Sequence, residues 1–283
     1  MTQETILIVG ASGTVGSLIA KKLRESGAIV KESTSRKDVA TSSSQKVFMN
    51  LATGENIHEA FSGIDKAFLI SPPGYADQYA ILSPMIQEAK RRGLKKVVLM
   101  TAMGANAVDS SPFRRAEIEL EKSGLAYNII RPNWFFQNFN TFWVHGIKQS
   151  DIIALPAKEA KTSFIDAEDI ANVAAKLLTV STFDNQDFDL TGPQALTHGE
   201  VADAISKVTG RKISYENILP ETLAKTLLGA GLPKDYVDFM ILIFGFLAEG
   251  YNSKITESVK LITGLAPRNV NQYTQGAKAH VAK

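Results

Sequence analysis

The sequence predicts an α/β fold, with a Rossmann-like, doubly wound parallel sheet and a smaller, mainly helical C-terminal lobe. Three observations support this prediction. Short β-branched runs alternate with amphipathic segments through the first half of the chain, a glycine-rich turn follows the first run, and the alternation stops after Pro132. The near-continuous apolar runs ILIV, AFLI and VVLM are typical of strands that are covered on both faces.

Each element is predicted from its own pattern. Six strands are expected at TILIVG, AIVKEST, KVFMN, KAFLISPP, KKVVLMTA and AYNIIRP, with helices between them, one of which runs from about Tyr79 to Arg92. After the sixth strand, a loop containing Pro156 leads to a helix from Ala167 to Leu178, with Asp166 or Glu168 as its N-cap. The strand-like run DFDLTGP follows, and beyond it only KISYENI is not helical in pattern.

Composition narrows the classes of partner and site. With 31 basic and 29 acidic residues and no run of five like charges, neither a nucleic acid nor a membrane is expected as a partner. The absence of cysteine excludes disulfides and thiolate chemistry, and the four histidines show no metal-ligand spacing, so no metal site is predicted. The longest strongly apolar run, FMILIFGFLA, is half of the ~20 residues that a membrane helix needs. A small-molecule partner and a cytoplasmic location are expected, for a monomer or a homodimer.

The turn GASGTVG places Gly10, Gly13 and Gly16 directly after a predicted strand and directly before a predicted helix. In this context the first glycine permits a tight turn, the second lets the backbone approach a pyrophosphate, and the third lets the helix pack close to the sheet. The N-terminus of the helix attracts the phosphate charge. A strand-to-helix turn can use glycine for structural reasons alone, but the surrounding α/β pattern favours dinucleotide binding.

The end of the second strand indicates which dinucleotide is bound. An NAD site usually has an acidic side chain about 20 residues after the glycines, whereas this chain has Arg36 and Lys37 there. A guanidinium can bond two oxygens of the 2′-phosphate of NADP, so NADP(H) is the predicted cofactor and Arg36 the better candidate contact. The alternative is a pair of solvated surface cations.

The chain lacks the usual acid of a short-chain dehydrogenase, because none of its seven tyrosines is followed by lysine four residues later. Where that motif is expected, Ser111 and Arg115 occupy the two places. Arginine does not release its proton at useful pH, so Arg115 could orient a ribose or a charge but could not act as a general acid.

The chain resembles the NmrA-like branch of the atypical short-chain dehydrogenases, which includes triphenylmethane-dye, quinone and azo reductases, ergot-alkaloid dehydrogenases, and NADP-sensing regulators. The matching stretches are TILIVGASGTVG, AFLISPPG, KKVVLMTA, IIRPNWFFQNF, TSFIDAEDIANVAAKLL, and AGLPKDYVDF followed by SVKLITGLAPR. The last three groups, which begin at IIRPNWFFQNF, look most similar to the ergot-alkaloid subgroup. This resemblance implies four sets of contacts with the cofactor. The pyrophosphate would be contacted by Gly10, Ser12, Gly13, Thr14 and Val15, and the 2′-phosphate by Arg36 and Lys37. The adenine would be contacted by Asn50 and Leu51, and the ribose next to the nicotinamide by Ser71, Pro72, Pro73, Thr101 and Ala102. Asn50 replaces an aspartate frequent in relatives, and Arg115 replaces a lysine or histidine.

The stretch NWFFQNFNTFW, residues 133–143, holds six of the 23 aromatic side chains. It follows the carboxyl end of the sixth strand, at the sheet edge where doubly wound proteins bind ligands. Trp134 and Phe135 are therefore candidates for a wall beside the nicotinamide, and the helical spacing of the rings equally suits core packing. Further substrate contacts are predicted at Phe136, Asn138 and Phe139, behind that wall, and at Tyr75, and a further cofactor contact at Pro132.

Two functions fit these features. The first is NADPH-dependent reduction of a flat, conjugated or cationic acceptor, which needs little help from a positioned acid; the second is NADP(H) sensing without turnover. The expected domains are an NADP-binding Rossmann-like domain over residues 1–190, with 134–161 contributing to the substrate lobe, and a smaller substrate or lid lobe over residues 191–283. The FMILIFGFLA run is expected to be a buried helix of that lobe, with Tyr236, Phe239 or Phe244 as a lid, or a contact between subunits.

Overall fold

The computed structural model describes residues 4–41 and 43–281. Its strands, in chain order, are β1 (Thr5–Ile8), β2 (Ile29–Thr34), β3 (Lys46–Phe48), β4 (Lys66–Ile70), β5 (Lys96–Met100), β6 (Ala126–Pro132), β7 (Ile152–Leu155), β8 (Gln186–Leu190) and β9 (Ser214–Asn217). The α-helices are α1 (Thr14–Glu25), α2 (Lys37–Thr41), α3 (Ile57–Ala60), α4 (Gln78–Arg92), α5 (Pro112–Glu121), α6 (Val144–Ser150), α7 (Ala167–Thr179), α8 (His198–Thr209), α9 (Pro220–Gly229), α10 (Lys234–Ala248), α11 (Ser258–Thr263) and α12 (Val270–Val281). Short 3₁₀ helices cover Ala105–Ala107 and Phe136–Asn140.

The predicted fold class is confirmed. Seven strands form one sheet in the order β3-β2-β1-β4-β5-β6-β8, and every pairing between neighbours is parallel. From β1 the chain proceeds outward to β3 and then crosses back to β4, so the direction of winding reverses between β1 and β4. In sheets of this kind the crevice beyond the carboxyl ends of the strands, at the reversal, is the usual ligand site.

Helices cover both faces of the sheet because alternate strand residues point to opposite sides. On one face, Ile6 and Ile8 pack with apolar residues of α1 and α7. On the other, Leu7 and Val9 pack with residues of α3, α4 and α5. Asp166 caps α7 by accepting the N–H of Glu168 at 3.0 Å, which decides between the two predicted N-caps.

A third apolar cluster forms the core of a smaller lobe. It joins residues of the segment 136–164 to residues of α8, α10 and α12. Beside it β7 pairs in parallel with β9, a two-stranded sheet that the sequence did not predict at Ile152–Leu155. Helix α11 differs from its neighbours, since Val259 and Ile262 pack in the core of the main sheet. A domain boundary at residue 190 therefore remains a proposal, because α11 lies after that residue but packs with the first domain.

No helix in the described part of the chain has both the length and the apolar character needed to cross a bilayer. The FMILIFGFLA run forms most of α10, which has 15 residues.

Candidate active site

The glycine turn lies at the carboxyl end of β1, beside the end of β4. Gly10 has φ +71°, and a β-carbon there would come within 2.9 Å of Ile70 Cγ2. A β-carbon on Gly16 would lie 2.2 Å from the carbonyl oxygen of Gly10, a distance that no side chain tolerates. Glycine at these two positions is therefore required for the turn to fold tightly beneath α1.

The N-terminus of α1 is open to a ligand. Gly13 is the N-cap and makes no side-chain capping bond, and Ser12, Gly13 and Thr14 are exposed. The backbone N–H groups of the first helical turn and the helix dipole favour an anion at such a position. The Val15 side chain is buried, so this residue can offer a phosphate only its backbone. The turn thus fits the pyrophosphate of a dinucleotide.

The two cations after β2 differ in their surroundings. Lys37 Nζ lies 2.7 Å from Glu55 Oε1 and 4.8 Å from the ring centroid of Phe48. Arg36 is exposed, and its guanidinium makes no ion pair with any residue that the structure describes. Glu32, the acid within β2, pairs with Arg24 of α1. Arg36 is therefore free to meet a 2′-phosphate, whereas Lys37 already shares its charge.

The loop after β3 is stabilised by Asn50, whose Oδ1 accepts the N–H groups of Ala52 and Thr53 at 3.0 and 3.3 Å. Asparagine thus shapes this loop as an Asx-turn and keeps its Nδ2 group available. Leu51 is half-buried against the core below. Contact of both residues with an adenine ring stays a prediction.

The loop after β4 contains Ser71, Pro72, Pro73 and Tyr75, which lead into α4. Gln78 Nε2 donates to the carbonyl oxygen of Tyr75 at 2.7 Å, and Asp77 caps α4. Ser71 and Pro72 are half-buried, whereas Pro73 and Tyr75 are exposed. Since β4 adjoins β1, this loop and the glycine turn form the two sides of the crevice.

A buried ionic network, which the sequence analysis missed, supports the end of β5. Thr101 Oγ1 donates to Glu117 Oε1 at 2.6 Å, and the fully buried Glu117 accepts two bonds from Arg131 at 2.9 and 2.8 Å and one from Arg114 at 3.0 Å. Burial lowers the pKa of Arg131 and the Glu117 hydrogen bond raises it, with a net increase. In the sequence, the only sign of this network was that Glu117 falls on the apolar side of an amphipathic helix. The Thr101 side chain therefore faces this network, and the half-buried Ala102 follows it.

The two residues in place of a tyrosine and a lysine have other roles. Ser111 is the N-cap of α5, accepting from Arg114 N–H at 3.4 Å and donating to the Ala105 carbonyl at 2.9 Å. Arg115 is exposed, with its guanidinium carbon 3.9 Å from the ring centroid of Tyr79. The first is a helix cap and the second a cation stacked between α4 and α5.

The aromatic segment divides into fully buried rings and half-buried rings. Phe136 and Phe139 are fully buried, the first stacked on Tyr273 with ring centroids 5.0 Å apart. Since these two rings have almost no exposed surface, they support the wall from behind. Trp134 is half-buried, 4.9 Å from the Phe244 ring centroid, and Phe135 is half-buried against the core of the main sheet. Direct substrate contact is thus best proposed for Trp134 and Phe135, with the half-buried Asn138 behind them.

A second buried feature that the sequence analysis missed fixes this segment in place. Asn133 follows β6 and donates from Nδ2 to Ser163 Oγ at 2.7 Å and to the carbonyl oxygen of Asn252 at 2.8 Å. Asn252 Nδ2 returns a bond to Asn133 Oδ1 at 2.9 Å. At the end of β6, buried Pro132 accepts the N–H of Met103 at 3.0 Å. The start of the aromatic segment is therefore held between the sheet and the loop after α10.

Other regions of the described surface are poorer candidates for an active site. Two surface depressions, of about 230 and 220 Å³, lie at the opposite end of the sheet beside Glu4 and Lys66, and between α9 and α10. Within the described ranges, no group of three or more His, Asp or Glu residues could hold a metal ion. The crevice at the carboxyl ends of β1, β4, β5 and β6 is thus the candidate active site.

Comparison with known proteins agrees with this geometry. The NmrA-like family profile matches residues 2–274. The NAD(P)H azoreductase of Xenophilus azovorans is 31% identical over 287 aligned residues, covering 98% of each chain. The agroclavine dehydrogenase of Claviceps fusiformis is 30% identical, covering 97% of each chain.

The fold is also that of solved reductases. The triphenylmethane reductase of Citrobacter sp., solved with NADP(H), superposes with a TM-score of 0.79 over 96% of this chain and 99% of its own, at 19% identity. From its sequence, its sheet and its glycine turn, the chain belongs to the NmrA-like family.

Proposed function

We propose that the protein transfers hydride from NADPH to a flat, conjugated or cationic acceptor of the quinone, azo, triphenylmethane or iminium type. The broader prediction is confirmed: the chain is an NAD(P)H-dependent reductase, as its family and its azoreductase and agroclavine dehydrogenase relatives agree. The residues around the crevice support the finer proposal, which is the class of the acceptor.

The residues of the crevice suit NADPH. The exposed N-terminus of α1 at Gly13 and Thr14 supports a pyrophosphate there, and the exposed Arg36 at the end of β2 supports a 2′-phosphate contact. A guanidinium there distinguishes a 2′-phosphate from a 2′-hydroxyl, because it gains charge-assisted hydrogen bonds only with the phosphate. When bound, NADPH supplies the hydride. The protein supplies the position of the acceptor.

The observation that carries the proposal is the arrangement of Ser111 and Arg115. Ketone reduction places charge on one oxygen and needs a positioned acid, typically worth 10²- to 10⁴-fold in rate. Here Ser111 caps a helix and Arg115 is an exposed cation on Tyr79, so α5 presents no acid to the crevice. A delocalised or cationic acceptor does not need one, since hydride transfer spreads or neutralises its charge.

The wall of the crevice suits a flat acceptor. Trp134 and Phe135 follow the end of β6, and the ring of Trp134 is supported by Phe244 and by Trp143, with centroids at 4.9 and 6.0 Å. Rigid aromatic faces can hold a planar ring at contact distance, and such positioning can remove several kcal/mol from the barrier. The azo and triphenylmethane compounds named for two similar proteins are extended conjugated aromatic molecules.

The test is the loss of NADPH absorbance with a panel of naphthoquinones, azo dyes, triphenylmethane dyes and cyclic iminium salts. We expect turnover with at least one of these classes, no turnover with simple aliphatic ketones, and a preference for NADPH over NADH. Tight NADPH binding without oxidation by any acceptor would contradict the proposal.

That same outcome would favour the second candidate, an NADP(H) sensor that presents its C-terminal lobe to another protein. The observation that supports it is the outer face of α10, where Leu242 and Phe246 are 56% and 51% exposed. Exposed apolar groups of this size occur at protein contacts.

A further inference from the structure

The side-chain amide of Gln137 bonds to the N-terminus of α7 with both of its ends. Gln137 lies in the 3₁₀ helix that follows the wall residues Trp134 and Phe135. Its Nε2 donates to Asp166 Oδ1 at 2.8 Å, and its Oε1 accepts the backbone N–H of Ala167 at 2.9 Å. Only this orientation of the amide satisfies both partners, because a carboxylate needs a donor and a backbone N–H needs an acceptor.

Asp166 is a fixed partner for this amide. Its side chain is only 2% exposed, its Oδ1 also accepts the N–H of Glu168 at 3.0 Å, and its Oδ2 accepts Arg268 Nε at 2.7 Å. Arg268 precedes α12 in the chain, and its backbone N–H donates to Asp169 Oδ2 at 2.7 Å. Because both oxygens of Asp166 are bonded, the carboxylate has no freedom to turn away from Gln137.

Two backbone bonds lie between this amide and the wall. The N–H of Ile165 donates to the carbonyl oxygen of Trp134 at 2.9 Å, and the N–H of Phe136 donates to the carbonyl oxygen of Ile165 at 2.9 Å. Phe135 stands between these bonds and pairs with Ile165 in an isolated parallel bridge. The side chain of Gln137 therefore continues a short ladder that starts at Trp134.

A second side-chain amide holds the other end of the wall. Asn133 Oδ1 accepts the backbone N–H of Trp134 at 2.9 Å. Trp134 and Phe135 thus lie between two amides, Asn133 before them and Gln137 after them. Since both rings are only half-buried, packing does not surround them on every side, and their orientation depends on how firmly their backbone is held.

We propose that Gln137 is a positioning residue of the acceptor site. Through its two bonds to the N-terminus of α7 it holds the backbone of Trp134 and Phe135 in the orientation in which their rings stack on a flat acceptor. This inference rests on the proposed function and deepens it, because it names a residue outside the wall on which acceptor binding depends. Gln137 itself acts only through the wall.

The expected consequence is a loss that is selective for the acceptor. A stacking contact weakens when the ring face tilts, whereas the cofactor contacts predicted at the ends of β1 and β2 do not involve this segment. Removal of the amide should therefore raise KM for the acceptor and leave NADPH affinity unchanged. A purely structural role would instead lower the melting temperature and leave KM of the folded protein as it was.

The test is Gln137→Met, which keeps the unbranched shape of the side chain and removes both hydrogen bonds. Gln87→Met is the control, because Gln87 Nε2 also bonds two side chains, Ser83 Oγ and Glu119 Oε1, each at 3.1 Å, on α4 and α5. We expect KM for the acceptors that wild type reduces to rise about 3- to 10-fold in Gln137→Met. The kcat value and the Kd for NADPH should change less than about twofold, and the control should match wild type in all three.

Tryptophan fluorescence supplies a readout without turnover, because both tryptophans of the chain, Trp134 and Trp143, belong to the aromatic segment. In a Trp143→Phe background the emission reports Trp134 alone. We expect Gln137→Met to raise the acrylamide quenching constant of Trp134 about twofold, since a segment with fewer bonds opens more often. Gln87→Met should leave quenching unchanged.

The outcomes separate this inference from the proposed function. If Gln137→Met were folded and showed wild-type KM and quenching, or lost NADPH affinity as much as acceptor affinity, the positioning role would be overturned while wild-type turnover upheld the reductase. If Gln137→Met did not fold, Gln137→Asn would take its place, since its amide is one methylene too short to reach both partners. A wild type that oxidised NADPH with none of the acceptors would remove the proposed function, and this inference with it.

Discussion

The two halves of the candidate active site are built by different means. The cofactor half, at the ends of β1 and β2, consists of backbone and of residues close in sequence: a glycine turn, a helix N-terminus and Arg36. The acceptor half, at the ends of β5 and β6, depends on contacts between distant segments, such as Trp134 with Phe244 and Asn133 with Asn252. Local sequence therefore determines the structure of the first half, and tertiary packing determines that of the second. Mutations should be able to impair either half without the other.

The largest effect on the free energy of unfolding is expected at the ionic network that supports the proposed acceptor half. Glu117→Ala removes two hydrogen bonds from the buried Arg131 and leaves it with the more exposed Asp187 as its nearest ion-pair partner, and breaking a buried pair typically costs about 3–5 kcal/mol. Urea unfolding should show this loss. Glu121→Ala, on the same helix and also bonded to Arg114, removes a more exposed carboxylate and should cost less than about 1 kcal/mol. Similar losses for both variants would show that burial of Glu117 has no special role.

The next largest effect is a dependence of stability on pH in the small lobe, which contains α10. His198 is fully buried among aromatic rings, neither ring nitrogen has a hydrogen-bond partner in the described chain, and burial lowers its pKa to about 4. The unfolded chain, with a histidine pKa near 6.5, takes up the proton first as pH falls. The stability that His198 contributes is therefore present above pH 6.5 and is lost toward pH 4, by about 3 kcal/mol.

Asp169 changes stability in the opposite sense over the same range, because burial raises its pKa to about 6. The effect of His198 is therefore measured as a difference, from urea unfolding of wild type and His198→Leu at pH 7 and pH 4.5. The variant should lose less stability on acidification than wild type. His145→Gln, at an exposed position, should follow wild type, and parallel curves for all three proteins would contradict the prediction.

In the cofactor half, Arg36→Ala should weaken NADPH binding about 10- to 100-fold and leave NADH binding nearly unchanged, because only NADPH carries the 2′-phosphate. Lys37→Ala should have a smaller effect, about two- to threefold, since Lys37 already pairs with Glu55. Isothermal titration with both cofactors measures this. A loss of NADH affinity equal to that of NADPH would show that Arg36 acts on the fold of the loop.

The smallest effect is expected at the aromatic wall. Trp134→Ala should raise KM for a flat acceptor by about 10-fold, the order of one lost stacking contact, with little change in NADPH affinity. Phe142→Ala is the control, since Phe142 belongs to the same segment and is 67% exposed. If the melting temperature fell and KM did not change, Trp134 would be part of the core alone.

The same division explains what the sequence could predict. The strands and the glycine turn could be predicted because periodicity and short-range spacing specify them. The strand β7 was missed because its partner β9 lies about 60 residues later, and no local pattern reports that pairing. The Thr101–Glu117–Arg131 network was missed because burial of a glutamate is decided by the partners that converge on it from β5 and β6.

Among the aromatic rings, sequence could locate the segment at the sheet edge but could not sort its members. Phe136 falls inside the small lobe because Tyr273 comes to meet it from a distant part of the chain, and Phe139 is covered by Phe164, about 25 residues later. Trp134 lies at the border because α10 stops beside it. Whether a ring is core or wall thus depends on elements more than 100 residues away.

The reciprocal amides of Asn133 and Asn252 also bear on how a molecule enters and leaves. They hold the C-terminal end of α10 against β6, together with Ser163, which donates to the carbonyl of Lys254 at 2.6 Å. At the N-terminal end Lys234, Asp235 and Asp238 are exposed, and the ion pair of Lys234 with Asp238 lies within the helix itself. Local opening begins where contacts are fewest, so we expect the amides near Lys234 to exchange with deuterium sooner than those near Ala248. Acceptor and product should then enter and leave beside the N-terminal end of α10.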